Sequence, residues 1–132
     1  MEKLIKAAMQ ARLKSYAPYS GFNVGAAVLT ADGRIFTGCN IENAAFSPTV
    51  CAERVAMFSA VAAGCREFSA IAVAGGKTGE ELNFAYPCGV CRQVLNEFCN
   101  KNFKIIVVKS ETEYKEHTLA ELLPHGFEGN IL

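Results

Sequence analysis

Residues 103–109 read FKIIVVK, with four apolar side chains in succession. Successive side chains of a strand point to opposite faces, so such a run is stable only where both faces are covered. That requirement predicts an internal strand with a helical layer on each side. The rest of the chain supplies the layers. Leu4, Ile5, Ala8, Met9 and Leu13 recur at helical spacing and predict an amphipathic opening helix. FNVGAAVLT (22–30) and RIFTGCN (34–40) flank Asp32-Gly33, which predicts a hairpin.

Ser47-Pro48 carries the marks of a helix start, with Ser as cap and Pro in the first turn. That helix is expected to reach about Ala63 and stop at Gly64. Val50, Val55, Ala56, Met57, Phe58 and Val61 make it apolar nearly all round, so it is expected to be buried. SAIAVAG (69–75) reads as a strand ending in Gly75-Gly76, and Pro87 opens a helix holding Val90, Val94, Leu95 and Phe98. EYKEHT is a weaker strand, and Thr118 with Glu121 forms a capping box for a short helix that Pro124 ends. The order α-β-β-α-β-α-β-β-α predicts a single domain over residues 1–132. Its architecture is α/β, a three-layer α-β-α sandwich around a mixed sheet of about five strands.

Thirteen basic and thirteen acidic residues balance. Polynucleotide binders usually carry a basic excess, so the expected partner is a small neutral ligand and not nucleic acid. No apolar run approaches the roughly 18–20 residues that span a bilayer, and charges interrupt MEKLIKAAMQARLKSY too often for a secretory segment. The expectation is a cytoplasmic chain with no membrane partner. In a reducing compartment its six cysteines are candidates for metal ligation, catalysis or plain burial rather than disulfides.

The sharpest chemical signal is PCGVCRQV (87–94). Cys88 and Cys91, three apart at a helix start, can turn both thiols to one side and converge on one ion. Thiolates suit zinc, and C-x-x-C is a usual way to supply two ligands. A thioredoxin-like redox pair is the rival, although that motif belongs near the first strand-helix junction of its fold. VCAERV (50–55) offers Cys51 as a third thiolate from the start of another helix, where the helix dipole favours the thiolate form. Glu53 discriminates between a closed structural site and a catalytic one. A catalytic zinc keeps three protein ligands and a water, and a nearby carboxylate can take that water's proton. Residues two apart on a regular helix point nearly oppositely, so Cys51 must lie in an irregular first turn for Glu53 to share its site. Three thiolates exceed the zinc charge by one unit, and Arg54 could offset this by donating to the sulfurs. The bland reading of Arg54 is a side chain that reaches out to solvent.

CAER followed by PCGVCRQ resembles the zinc-dependent cytidine deaminases, specifically the small homotetrameric nucleoside type. YSGFNVGAAV, GCNIENA and LLPHGF fall in the family's order, so the likeness covers nearly the whole chain. The resemblance implies a cytidine deaminase-like fold with one zinc per subunit held by Cys51, Cys88 and Cys91. It implies hydrolytic deamination of cytidine and deoxycytidine, a step of pyrimidine salvage. An activated water attacks C4 while Glu53 shuttles protons to N3 and to the departing amino group. It also implies substrate contacts: Asn40 and Glu42 on the ribose 3′-hydroxyl, Phe22 lining the pocket and the Ala52 N–H on the ring O2. Phe127 stacks on the base from a neighbouring subunit, within a tetramer whose sites are shared. Phe46 stands where the family usually has a tyrosine that helps bind the sugar 5′ side.

Blander assignments stand beside these. Cys39, Cys65 and Cys99 read as small buried side chains, and Asn40 as a turn residue after its strand. His117 and His125 are weak candidates for zinc ligation. Gly25, Ala26 and Ala27 read as positions of close backbone packing. The alternatives to a cytidine deaminase are a blasticidin-type aminonucleoside deaminase, a polynucleotide-editing deaminase and a non-enzymatic zinc clamp needing a fourth protein ligand.

Overall fold

The computed structural model describes the backbone of all 132 residues and every side chain except that of Ile131. Its elements follow the expected order: α1 (Glu2–Ala11), β1 (Phe22–Thr30), β2 (Ile35–Cys39), α2 (Ala52–Ala62), β3 (Phe68–Lys77), α3 (Gly89–Phe98), β4 (Lys104–Val108), β5 (Tyr114–Thr118) and α4 (Leu119–Leu122). The strands form one mixed sheet in the order β2-β1-β3-β4-β5. Only β3 and β4 pair in parallel. A parallel neighbour needs a crossover, and α3 supplies it.

The run in β4 is covered on both faces, as its sequence requires. Ile105 and Val107 pack with Ile71, Val73, Ala56, Met57 and Leu95, beneath α2 and α3. Ile106 and Val108 pack with Leu4, Ile5 and Ala8 of α1 on the other side. The result is the expected three-layer α/β sandwich, with the capping box of Thr118 and Glu121 starting α4. The hairpin also forms where expected, closed by the Thr30 N–H on the Arg34 carbonyl at 2.9 Å.

Several boundaries differ from the expectation, each for a physical reason. α2 does not start at Ser47-Pro48. Those residues form a turn closed by the Thr49 N–H on the Phe46 carbonyl at 3.0 Å, and Val50 then bridges to Ile41. The pairing holds the chain extended, so the helix begins only after Cys51. α3 likewise starts at Gly89, capped by Cys88 and not opened by Pro87. Nor is α2 buried all round: Phe58 is 47% exposed. Leu13 is 80% exposed and falls in a 3-10 turn after α1. At about 100° per residue it lies opposite Leu4, off the buried stripe.

β3 does not end at Gly75-Gly76 but continues to Lys77. A Cβ on Gly75 would sit 2.8 Å from the Ala85 side chain, so the glycine admits the loop that returns across the strand. Gly38 has the same role under α2. Its Cβ would lie 2.4 Å from the Ala56 nitrogen and 2.6 Å from the Ala52 carbonyl oxygen. That approach seats the first turn of α2 directly on β2.

Candidate active site

Two helices begin at one place. Cys51 caps α2 and Cys88 caps α3, both with extended backbone (φ −80°, ψ 154° and φ −68°, ψ 169°). Cys91 follows one turn into α3 and is buried. The extended conformation of Cys51 is the irregularity that lets Glu53 share its site. The three sulfurs lie within 4.8 Å of one another, with Cys51 and Cys88 separated by 3.9 Å. Tetrahedral zinc with sulfur at about 2.3 Å sets its ligands about 3.8 Å apart. The donor set therefore fits zinc, and the described residues bring three such donors together, the number typical of a catalytic site.

The electrostatics of the cluster are uneven. Cys51 is pulled down to about 5 by the hydrogen bond from Cys91, with further help from Arg54 and Cys88. Cys91 is pushed up by its hydrogen bond with Cys51 and by burial. A dication among the sulfurs displaces the thiol protons, since only thiolates ligate. Arg54 donates through Nη2 to the Cys51 sulfur at 3.4 Å. Its Nε is buried without a hydrogen-bond partner. Arg54 thus stays at the cluster and does not extend into solvent.

Glu53 is 5% exposed, and burial, followed by the Cys51 charge, pushes its carboxyl up to about 7. It borders a cleft of about 280 Å³ that also touches Cys51, Ala52 and Cys88. Phe22, Asn40 and Glu42 line the same cleft. The bridges of Ile41 to Tyr16 and to Val50 carry this segment alongside Cys51.

Asn40 is more than a turn residue. Its side chain donates to the Phe22 carbonyl at 2.8 Å and accepts from the Val24 N–H at 2.9 Å, which pins the start of β1. One N–H and one lone pair remain for a ligand. Glu42 accepts from the Tyr19 and Ser20 N–H groups at 3.0 and 3.1 Å and from the Ser20 hydroxyl. These bonds, that of the hydroxyl first, hold its carboxyl below 4.5.

Two expected contacts lie elsewhere in the isolated chain. Phe46 is 89% exposed on its turn, and Phe127 is 56% exposed in the C-terminal segment. The Phe127 carbonyl accepts from Gln93 and Asn96 at 3.0 and 2.9 Å, which fixes the backbone and leaves the ring projecting. Ser20, Thr49 and Tyr86 also line the cleft without having been singled out by sequence. Ser20 lies in the YSGFNVGAAV stretch, and Tyr86 directly precedes PCGVC, yet neither position carries a local chemical signal.

A family model described as the cytidine and deoxycytidylate deaminase zinc-binding region matches residues 1–107. The cytidine deaminase of Sporosarcina psychrophila is 48% identical over 127 residues, covering 96% of this chain and 90% of that protein. That of Halalkalibacterium halodurans is 44% identical over 126 residues, with 96% and 92% covered. The crystal structure of cytidine deaminase from Burkholderia pseudomallei matches with a TM-score of 0.85 at 46% identity. It covers 95% of this chain and 97% of that one. The Mycobacterium tuberculosis structure gives 0.78 at 37%, with 95% and 94% covered.

Proposed function

Because this chain belongs to the family of zinc-binding cytidine and deoxycytidylate deaminases, we propose that it hydrolyses cytidine and deoxycytidine to uridine and deoxyuridine with release of ammonia. The observation that carries the reading is a buried carboxyl, Glu53, in one cleft with three converging thiols. Cys51, Cys88 and Cys91 would hold a zinc ion, which when bound would supply a water acidic enough to serve as nucleophile near neutral pH.

The chain's own groups do the rest. Glu53 moves protons: it takes one as water adds to C4 and passes it to ring N3, then takes the second from the new C4 hydroxyl and delivers it to the amino group, so that the C4–N bond breaks, the C4 carbonyl forms and ammonia leaves. Burial supports the role, because a carboxyl poised near 7 can both accept and donate at neutral pH. The Ala52 N–H donates to the ring O2; its place at the first position of α2, in the cleft lining, supports that role, since a helix N-terminus favours a partial negative charge. Asn40 and Glu42 retain a free donor and free lone pairs for the ribose 3′-hydroxyl, and Phe22 gives the nucleoside an apolar surface. Arg54 offsets the surplus thiolate charge.

The exposed Phe46 and Phe127 rings support a homotetramer in which Phe127 reaches a neighbouring subunit's base and Phe46 borders the sugar 5′ side. The six cysteines are all unpaired, which supports a reducing, cytoplasmic setting. No helix among the described residues is long and apolar enough to cross a membrane.

The test is ammonia release from cytidine by zinc-loaded protein, with free cytosine, the 5′-monophosphate and blasticidin S in parallel. Glu53→Gln should keep zinc and fold while its rate falls by about a hundredfold or more. Full turnover in that variant would overturn the mechanism, and turnover of another panel member alone would reassign the substrate.

A further inference from the structure

We propose that Tyr86 is a substrate-contacting wall of the pocket and that His117, on the outermost strand of the sheet, is its positioning residue. The proposal rests on the nucleoside reading above. After β3 the chain doubles back, and the Asn83 N–H bonds the Gly75 carbonyl at 2.8 Å. This brings Ala85, Tyr86 and Cys88 into the cleft that Glu53 and Phe22 also line.

The returning loop is braced from β5. Lys115 and His117 pair with Val107 and Ile105, whose side chains pack beneath α2 and α3, so both face the site's side of the sheet. Two loop residues meet them in step. The Lys115 ammonium stands 4.5 Å from the centre of the Phe84 ring. The Tyr86 hydroxyl and His117 Nε2 share a hydrogen bond of 2.9 Å, with ring centroids 5.3 Å apart and planes at 58°.

Tyr86 is 40% exposed and lines the cleft, while its hydroxyl is held by His117. A ring fixed before the ligand arrives saves the cost of fixing it on binding. The pair touches neither Glu53 nor the sulfurs through any hydrogen bond. Its effect therefore falls on affinity and not on the chemical step.

The experiment measures Kd for uridine by calorimetry and KM and kcat for cytidine, all on zinc-loaded protein. Tyr86→Phe and His117→Ala should each raise Kd and KM roughly two- to tenfold, the worth of one hydrogen bond, with kcat nearly unchanged. The double variant should be no worse than either single, because both remove one bond. His117→Gln should restore affinity, since its side-chain amide can reach where Nε2 sat. Melting temperatures close to wild type accompany this pattern.

Wild-type Kd and KM in both single variants would overturn the proposal, as would additive penalties or losses that merely track melting temperature. If wild type binds uridine but leaves cytidine intact, the deaminase reading fails while the Kd ratios still decide the role of Tyr86. If it neither binds nor reacts, both fall.

Discussion

The Arg54 guanidinium donates to the Cys51 sulfur at 3.4 Å from one turn further along the helix that Cys51 caps. The contact places a fixed cation against a set of thiolates whose charge exceeds that of the zinc they suit. Arg54→Gln should weaken zinc retention about ten- to a hundredfold, the usual cost of losing an outer partner of a metal ligand. Competition with a graded chelator measures it. Arg54→Lys, which keeps the charge but loses the planar fork, should fall between the two. Equal zinc affinity in all three proteins would refute the charge argument.

Gly38 offers a test at a distance from the thiols. Any side chain there meets the Ala52 and Ala56 backbone, which is not the end of a flexible group and must shift as a unit. Gly38→Ala should cost about 1–3 kcal/mol of stability and lower zinc occupancy, because α2 carries Cys51 and Glu53 with it. Gly129→Ala, where nothing lies within 4 Å, serves as control. Thermal melts and zinc stoichiometry on the two variants separate the effects.

Chelation should leave the sheet standing. The two apolar clusters lie on opposite faces of the sheet, whereas the metal centre ties together only the first turns of α2 and α3. Metal-stripped protein should keep its far-UV circular dichroism and melt at a lower temperature, as removal of any native-state ligand requires. Added zinc should restore the melt. Collapse of the secondary structure on chelation would contradict this account.

Glu42 fixes the sign of one pH effect. Its folded-state carboxyl titrates below 4.5 because Ser20 and Tyr19 donate to the ionised form. A depressed carboxyl contributes stability above its unfolded pKa and loses it as pH falls through the folded value. Glu42→Gln should therefore melt below wild type at pH 7, with the gap closing as pH drops under 4.5. A gap that persists in acid would show that the loss is one of packing and not of charge.

The element order, the mixed sheet and both helical layers were legible because β4 and α1 declare their burial through side-chain period alone, whereas the strand order β2-β1-β3-β4-β5 came only from the structure. The thiols were legible through spacing at helix starts. What sequence missed depends on contacts between distant segments. The start of α2 is set by Val50 bridging to Ile41, and Gly75-Gly76 stay within β3 because they pair with Val24 and Asn23 of β1. Phe58 looked like core because an apolar residue on a helix carries no mark of the side it faces. Tyr86 gave no signal because its partner His117 lies 31 positions away on an edge strand.

Both helices at the site begin with a cysteine that makes no capping hydrogen bond through its side chain. Serine in the same place usually satisfies a free N–H of the first turn and strengthens a helix by roughly 0.5–2 kcal/mol. Chemistry and architecture thus want different atoms at positions 51 and 88: sulfur for the metal, oxygen for the helix. In metal-free protein Cys51→Ser should be the sturdier molecule, and only zinc reverses the ranking. Helix stability alone would favour an oxygen at both caps, so the sulfurs at positions 51 and 88 are accounted for by the metal they suit and not by the helices they begin.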